Sequence, residues 1–305
     1  MQPTKLRGII PPMITPLKGD DELDREGAVR LTEHLVAGGV HAIFLLGTTG
    51  EAQSLTYRLR YEFVELVCRQ VAGRVPVLVG VTDTAFIESI RLAEHAAKCG
   101  AVGVVAAPPY YFAPSQQELI EYYTALADAL PLPLYLYNMP SHVKVFLEPA
   151  TVKTLASHPN IVGLKDSSAN MTYFQTLLYH LGDNPDFSLY VGPEELTGEC
   201  VLLGADGGVN GGANIFPELY VAMYDAACAH DIARVREIQR RIMQISTSVY
   251  TVGKYGSSYL KGVKCALSLL GVCDDYLSYP YRKFRTEERA RIRQALEALG
   301  ANCNV

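Results

Sequence analysis

No Cys-x-x-Cys pair, no closely spaced histidine pair and no long apolar run occur in this chain of 305 residues, and each absence removes a class of function. The seven cysteines (Cys68, Cys99, Cys200, Cys228, Cys265, Cys273 and Cys303) are odd in number and dispersed. Such a set is expected as reduced thiols in a cytoplasm, not as a disulfide framework, zinc site or dithiol redox centre. The seven histidines (His34, His41, His95, His142, His158, His180 and His230) form no His-x-His or His-x-x-x-His pair and mostly fall in helical patterns. A metal-dependent aldolase or hydrolase would need such ligands gathered at strand ends, so no metal is expected. No segment approaches the roughly 20 apolar residues of a membrane span, and Met1 to Arg7 carry no signal-peptide pattern. Neither a membrane location nor nucleic-acid binding is expected, since the formal charge is −5 and no Lys/Arg-rich run exists.

What is present is a globular composition, 49% hydrophobic and 19% charged, long enough to bury a large core. Short β-rich runs at 8–14, 41–46, 75–79, 102–106, 134–137, 161–165, 188–191 and 207–209 alternate with amphipathic stretches. The helical patterns cover 25–37, 55–71, 87–98, 118–130, 150–156, 171–181, 195–203 and 218–230, with apolar spacings such as Phe63, Val64, Val67 and Val71. Ser115 and Glu118 form a capping box. Strands that alternate with helices imply a parallel sheet. Eight units in about 230 residues fit an α/β fold of the closed (β/α)8 TIM-barrel type. An open dinucleotide-binding sheet would want a glycine-rich turn after the first strand, where the chain instead reads Pro11-Pro12-Met13-Ile14-Thr15-Pro16. The expected organisation is a catalytic barrel over residues 1–230 and a C-terminal helical extension over 231–305, packed on the barrel. The extension carries helical patterns at 232–249, 258–270 and 286–298, interrupted by Gly256, Gly262 and Gly271.

In a parallel barrel the site forms at the carboxyl ends of the strands, and the unusual residues collect there. The sixth strand, Ile161-Val162-Gly163-Leu164-Lys165-Asp166, ends an apolar run on a lysine. A lysine there either reaches water just past the strand or is buried, and a buried amine that sheds its proton is a nucleophile toward ketones. After the second strand, Gly47-Thr48-Thr49-Gly50-Glu51 offers backbone N–H groups and two hydroxyls to a carboxylate, or is only a strand-to-helix turn. The fourth strand leads into Pro108-Pro109-Tyr110-Tyr111-Phe112, whose tyrosines serve either packing or acid–base work. In Tyr135-Leu136-Tyr137-Asn138-Met139-Pro140, alternation sets Tyr135 and Tyr137 toward the barrel interior, where a phenol needs a hydrogen-bond partner and can relay protons. Gly207-Gly208-Val209-Asn210-Gly211-Gly212 suggests a substrate pressed close to the backbone. Together these groups supply what Schiff-base chemistry on a 2-oxo acid requires.

These motifs, in this order and spacing, resemble the dihydrodipicolinate synthase/N-acetylneuraminate lyase family of class I aldolases over nearly the whole chain. The resemblance implies that Lys165 forms an imine with pyruvate, that no cofactor is used beyond that covalent imine, and that Tyr137 shuttles the proton. It implies that Thr48 links Tyr137 to Tyr111, which in many relatives crosses a dimer interface. It also implies that Gly47, Thr48 and Thr49 hold the pyruvate carboxylate, that Val209 lines the pocket, and that the protein is a homotetramer built as a dimer of dimers.

One departure bears on the second substrate. True synthases of the family typically carry Tyr-Asn-x-Pro-x-Arg-Thr-Gly, with the arginine gripping the carboxylate of aspartate semialdehyde. Here the run is Tyr137-Asn138-Met139-Pro140-Ser141-His142-Val143-Lys144, so His142 stands in the arginine's place. An imidazole cannot make the forked pair of a guanidinium, and Lys144 reaches from a different position. Lys165-Asp166-Ser167-Ser168 resembles aldolases and dehydratases acting on 2-keto-3-deoxy sugar acids, in which Ser167 would meet substrate hydroxyls or cap the next helix. The expected activity is aldol cleavage, condensation or dehydration of such a sugar acid, with dihydrodipicolinate synthesis from aspartate semialdehyde as the alternative. A barrel that binds a 2-oxo acid without catalysis is the alternative from another class.

Overall fold

The structure is a computed structural model and describes residues 5–303. Its centre is a ring of eight parallel strands: β1 (Gly8–Ile9), β2 (Ile43–Leu45), β3 (Val77–Gly80), β4 (Gly103–Ala106), β5 (Leu134–Asn138), β6 (Ile161–Asp166), β7 (Ser188–Val191) and β8 (Gly207–Gly208). From β2 to β8 each pairs with the next in sequence, and β8 pairs back onto β1 through Gly8 opposite Gly207. The ring closes between the chain just past β1 and the middle of β2, where Pro12 bridges to Phe44 and the Phe44 N–H donates to Pro11 O at 3.0 Å. This is the expected barrel. Only two residues of the first expected strand are regular, because Pro11 and Pro12 have no N–H to give a ladder.

Around the ring lie α1 (Arg25–Ala37), α2 (Tyr57–Val71), α3 (Phe86–Lys98), α4 (Gln116–Ala129), α5 (Pro149–Leu155), α6 (Met171–Leu181), α7 (Thr197–Leu202) and α8 (Pro217–Cys228). Beyond them come α9 (Ile232–Ser248), α10 (Ser258–Leu269) and α11 (Thr286–Ala298). Caps set several of the boundaries. Thr56 accepts from Leu59 N, so α2 begins at Tyr57, two residues later than apolar spacing suggests. Ser115 and Glu118 form the expected capping box, which starts α4 at Gln116. A small antiparallel hairpin, Leu17–Gly19 with Glu22–Leu23, follows β1; the strand–helix alternation gave no sign of it. No helix among the described residues is long and apolar enough to cross a membrane.

Apolar side chains divide into two sets. One fills the layer between strands and helices, including Ile161 and Leu164. The other fills the barrel interior: Ile10, Phe44, Leu78, Val105, Tyr135, Tyr137, Tyr190 and Val209 among them. A register irregularity between β5 and β6 decides which set the end of β6 joins. Leu134 pairs with Ile161 and Tyr135 with Gly163, so Val162 is an extra residue on β6. Ile161 and Leu164, three apart, therefore both face the helices, whereas unbroken alternation would put them on opposite faces. The bulge sends Lys165 inward.

Candidate active site

Lys165 is 6% exposed and borders a small void inside the barrel with Ile10, Phe44, Tyr190 and Val209. Its Nζ lies 4.3 Å from the centre of the Tyr137 ring and 5.3 Å from that of Phe44. Among the described residues it makes no ion pair. The lysine is thus buried among rings and aliphatic side chains with no carboxylate partner, which leaves its amine free to meet a ligand.

Lys165 itself borders only the small void, but beside Phe44 and Tyr137, the two rings next to its amine, opens a cavity of about 650 Å³, within the range of small-molecule sites. Its walls carry Phe44, Gly47, Thr48, Thr49, Tyr137 and His142, with Tyr110, Tyr255 and Tyr281 also contributing. Tyr137 is the penultimate residue of β5, and its hydroxyl lies 3.2 Å from Thr48 Oγ1. The Gly47–Glu51 turn is closed by Gly50 N donating to Gly47 O at 3.0 Å and Glu51 N to Thr48 O at 3.1 Å. Among the described residues the Thr48 and Thr49 amides have no backbone acceptor, so they are available to an anion. Leu46 and Glu51, flanking the turn, both hold left-handed backbone (φ 57° and 56°), a costly conformation characteristic of functional loops.

Lys165, Tyr137, Thr48, Thr49 and Gly47 are thus brought together, with Val209 beside Lys165. His142 lines the cavity from the single helical turn Pro140–Val143. Burial, then the charges of Lys144 and Lys165, hold its imidazole below the ordinary histidine value. Lys144 does not line the cavity; its Nζ donates to Ser141 O. Ser167 does not line it either. Its Oγ stands so close to Gly192 that a methyl group there would come within 2.0 Å. Ser168 holds Asp166 Oδ2 at 2.9 Å, while Asn170 caps α6. Tyr111 is 91% exposed, packs edge-on against Phe112, and within one chain makes no contact with Thr48.

The glycines of the eighth unit require a correction. A methyl group on Gly207 would meet Gly8 O at 1.9 Å, on Gly211 the Tyr259 hydroxyl at 1.6 Å, and on Gly212 the Tyr220 hydroxyl at 2.0 Å. They make room for the protein's own groups rather than for a substrate, and none lines the cavity.

Three residues in or behind the candidate site escape sequence reasoning. Tyr259, on α10, lines the cavity and sets its hydroxyl 3.2 Å from Thr49 Oγ1. Lys264, fully buried on the same helix, pairs with Glu51 and donates to Tyr276 O at 2.7 Å. Glu194, after β7, accepts from Tyr220, from Tyr250 (2.6 Å) and from Gly212 N (2.8 Å). Lys264 did carry a signal, a lysine in the apolar run Gly262-Val263-Lys264-Cys265-Ala266-Leu267. Among the described residues no three His, Cys, Asp or Glu side chains gather as they would around a metal ion.

The model of the dihydrodipicolinate synthetase family matches residues 5–299. A 4-hydroxy-tetrahydrodipicolinate synthase of Methanopyrus kandleri is 31% identical over 298 residues, 97% of each chain. Among solved structures, a dihydrodipicolinate synthase from Bacteroides thetaiotaomicron is 60% identical, with a TM-score of 0.94 over 96% of this chain and 98% of that one. YagE of Escherichia coli K12, a prophage protein of the dihydrodipicolinic acid synthase family solved in complex with pyruvate, is 31% identical with a TM-score of 0.91, over 96% and 98% respectively.

Proposed function

This chain belongs to the dihydrodipicolinate synthetase family of class I lyases, and on that footing we propose that it joins pyruvate to, or releases pyruvate from, a second carbonyl compound through an imine on Lys165. The observation that carries the reading is a buried, unpaired lysine facing a tyrosine whose hydroxyl is held by Thr48. In this reading the Gly47–Thr49 amides and hydroxyls hold the pyruvate carboxylate. Nζ attacks the keto carbon, water leaves, and the resulting iminium loses a proton from the adjacent methyl to the Tyr137–Thr48 relay, the C–H pair becoming the C=C bond of an enamine nucleophile. Tyr137 carries the protons at the keto oxygen and at the new or broken bond.

Aspartate semialdehyde, the partner implied by the synthase names of the relatives, is the better-supported second substrate. The 2-keto-3-deoxy sugar acid, first choice from sequence, keeps second place on one observation: among the described residues no arginine lines the cavity, and His142 occupies the wall where the arginine is expected. The proposal extends to cytoplasmic residence and to a homotetramer, in which the exposed Tyr111 (φ 87°) and Phe112 meet a second copy and Tyr111 reaches Thr48 across that contact.

Borohydride reduction with pyruvate, followed by peptide mapping, tests the imine. One pyruvate-sized adduct on Lys165 is the expected result; its absence from folded protein overturns the reading in favour of a barrel that binds without catalysing. Turnover of aspartate semialdehyde against a set of sugar acids then decides the partner. His142→Arg is expected to raise activity only toward the semialdehyde.

A further inference from the structure

We infer that Glu194 is a positioning residue for the carboxylate nest, acting on Thr49 through the phenols of Tyr250 and Tyr259; the inference rests on the pyruvate reading above. Glu194 opens a short 3-10 turn, Glu194–Leu196, after β7 and is 4% exposed. Its carboxylate has no ion pair among the described residues. It is held by neutral donors alone: Tyr220 of α8 and Tyr250 on Oε1, and Gly212 N on Oε2. Two phenols are thereby fixed to one oxygen. The Tyr250 ring lies edge-on against Tyr259, centres 4.8 Å apart, and the Tyr259 hydroxyl meets Thr49 Oγ1 at 3.2 Å.

The packing leaves these rings little freedom. A methyl group on Gly212 would come within 2.0 Å of the Tyr220 hydroxyl and 2.6 Å of that of Tyr250. One on Gly211 would come within 1.6 Å of the Tyr259 hydroxyl. The three phenols are therefore seated together on glycine backbone, and a change at Glu194 is passed to Tyr259 rather than absorbed. An electrostatic link runs alongside: burial first, and then the Glu194 charge, push the Tyr259 phenol upward.

Burial pushes the Glu194 carboxyl up to about 7, against the lowering effect of Tyr220, Tyr250 and Gly212. The adjacent Glu195, held by Ser246 of α9, adds to the rise. With Tyr259 of α10, these are the titratable and charged groups that face it. Protonation of Glu194 removes the charge that strengthens its bonds from Tyr220, Tyr250 and Gly212 N and takes one acceptor position from them, and so loosens the set that seats Tyr259. His142, already displaced downward, gives no competing change above neutrality.

The test is the pyruvate concentration giving half-maximal borohydride-trapped adduct on Lys165, in wild type, Glu194→Gln and Tyr250→Phe. Both variants are expected to need roughly 3- to 10-fold more pyruvate, the loss typical of one displaced hydrogen bond, while reaching full labelling at saturation. In wild type the half-maximal concentration should step near a pH of about 7, and in Glu194→Gln the step should vanish. Tyr250→Phe keeps the ring and decides the matter if the glutamine variant does not fold. Unchanged half-saturation in the folded variants, or a loss confined to melting temperature, makes Glu194 a structural anchor and overturns the inference. Absence of adduct from wild type overturns the pyruvate reading and this inference with it.

Discussion

Gly163→Ala separates placement of Lys165 from stability. A methyl group at this position would lie 2.7 Å from Tyr135 Cδ1 and 2.8 Å from Ser188 O. The ring can yield, but the carbonyl belongs to the neighbouring strand and cannot, so β6 must move. Overpacking of this kind costs about 1–3 kcal/mol. Replacing glycine recovers about 0.4–1 kcal/mol from the unfolded chain. The net loss of about 1–2 kcal/mol corresponds in a chain of this length to a fall of roughly 2–4 °C in Tm. Activity should suffer more. Lys165 is two residues along the displaced strand, and misplacement of a reacting group by about 1 Å can cost about 10²-fold. Trapping rate with pyruvate and calorimetric Tm, measured on the same sample, are the assay. Leu164→Ala is the control: it truncates a fully buried side chain on the outer face, with a loss of about 2–5 kcal/mol expected and a normal trapping rate per folded molecule. A wild-type trapping rate in Gly163→Ala would refute the argument that the bulge aims the lysine.

Lys165→Ala is expected to abolish the adduct and turnover while leaving the circular dichroism spectrum unchanged. Tyr137→Phe should lower turnover by about 10²–10⁴-fold if its hydroxyl moves the proton, and a near-normal rate would make it a packing residue. Lys264→Met leaves the Glu51 carboxylate buried without its cation and should cost about 3–5 kcal/mol in denaturant unfolding, partly restored by adding Glu51→Gln. Glu194 is protonated more readily in the folded chain than in the unfolded one, so its contribution to stability is full below about pH 4.5 and declines as pH rises through about 7. The displacement from 4.5 to about 7 is worth about 3 kcal/mol, so Glu194→Gln should gain on wild type in Tm between acid and mildly alkaline pH; a constant difference would contradict the assignment.

The barrel and the rim motifs were legible because they depend on short-range signals. Apolar runs alternate with helical spacing, and Gly47–Glu51, Tyr137 and Lys165 each stand at the end of a run. What escaped depends on contacts between distant segments. The run 161–164 is apolar throughout, so nothing in it but Gly163 marks a bulge, and the inward turn of Lys165 appears only with Tyr135 opposite Gly163. Lys165 and Lys264 look alike in sequence, each a lysine in an apolar run, yet one meets a carboxylate and the other meets rings. The partner, not the run, decides which lysine is free to react. Tyr259 carries no local sign of its place beside Thr49, 210 residues away.

The hold of α10 on the Gly47–Glu51 turn also orders events in time. Thr49 faces Tyr259 and Glu51 is paired with Lys264, so two of five consecutive residues near the start of the chain depend on groups synthesised near its end. A nascent chain that has reached residue 230 already contains Lys165, Tyr137 and Thr48 but lacks the groups that steady the turn. Contacts of such separation form late and slowly. On the proposed reading the amine is therefore made long before the nest that would present a keto acid to it, and the emerging polypeptide is expected to stay unreactive toward pyruvate until its last helices dock.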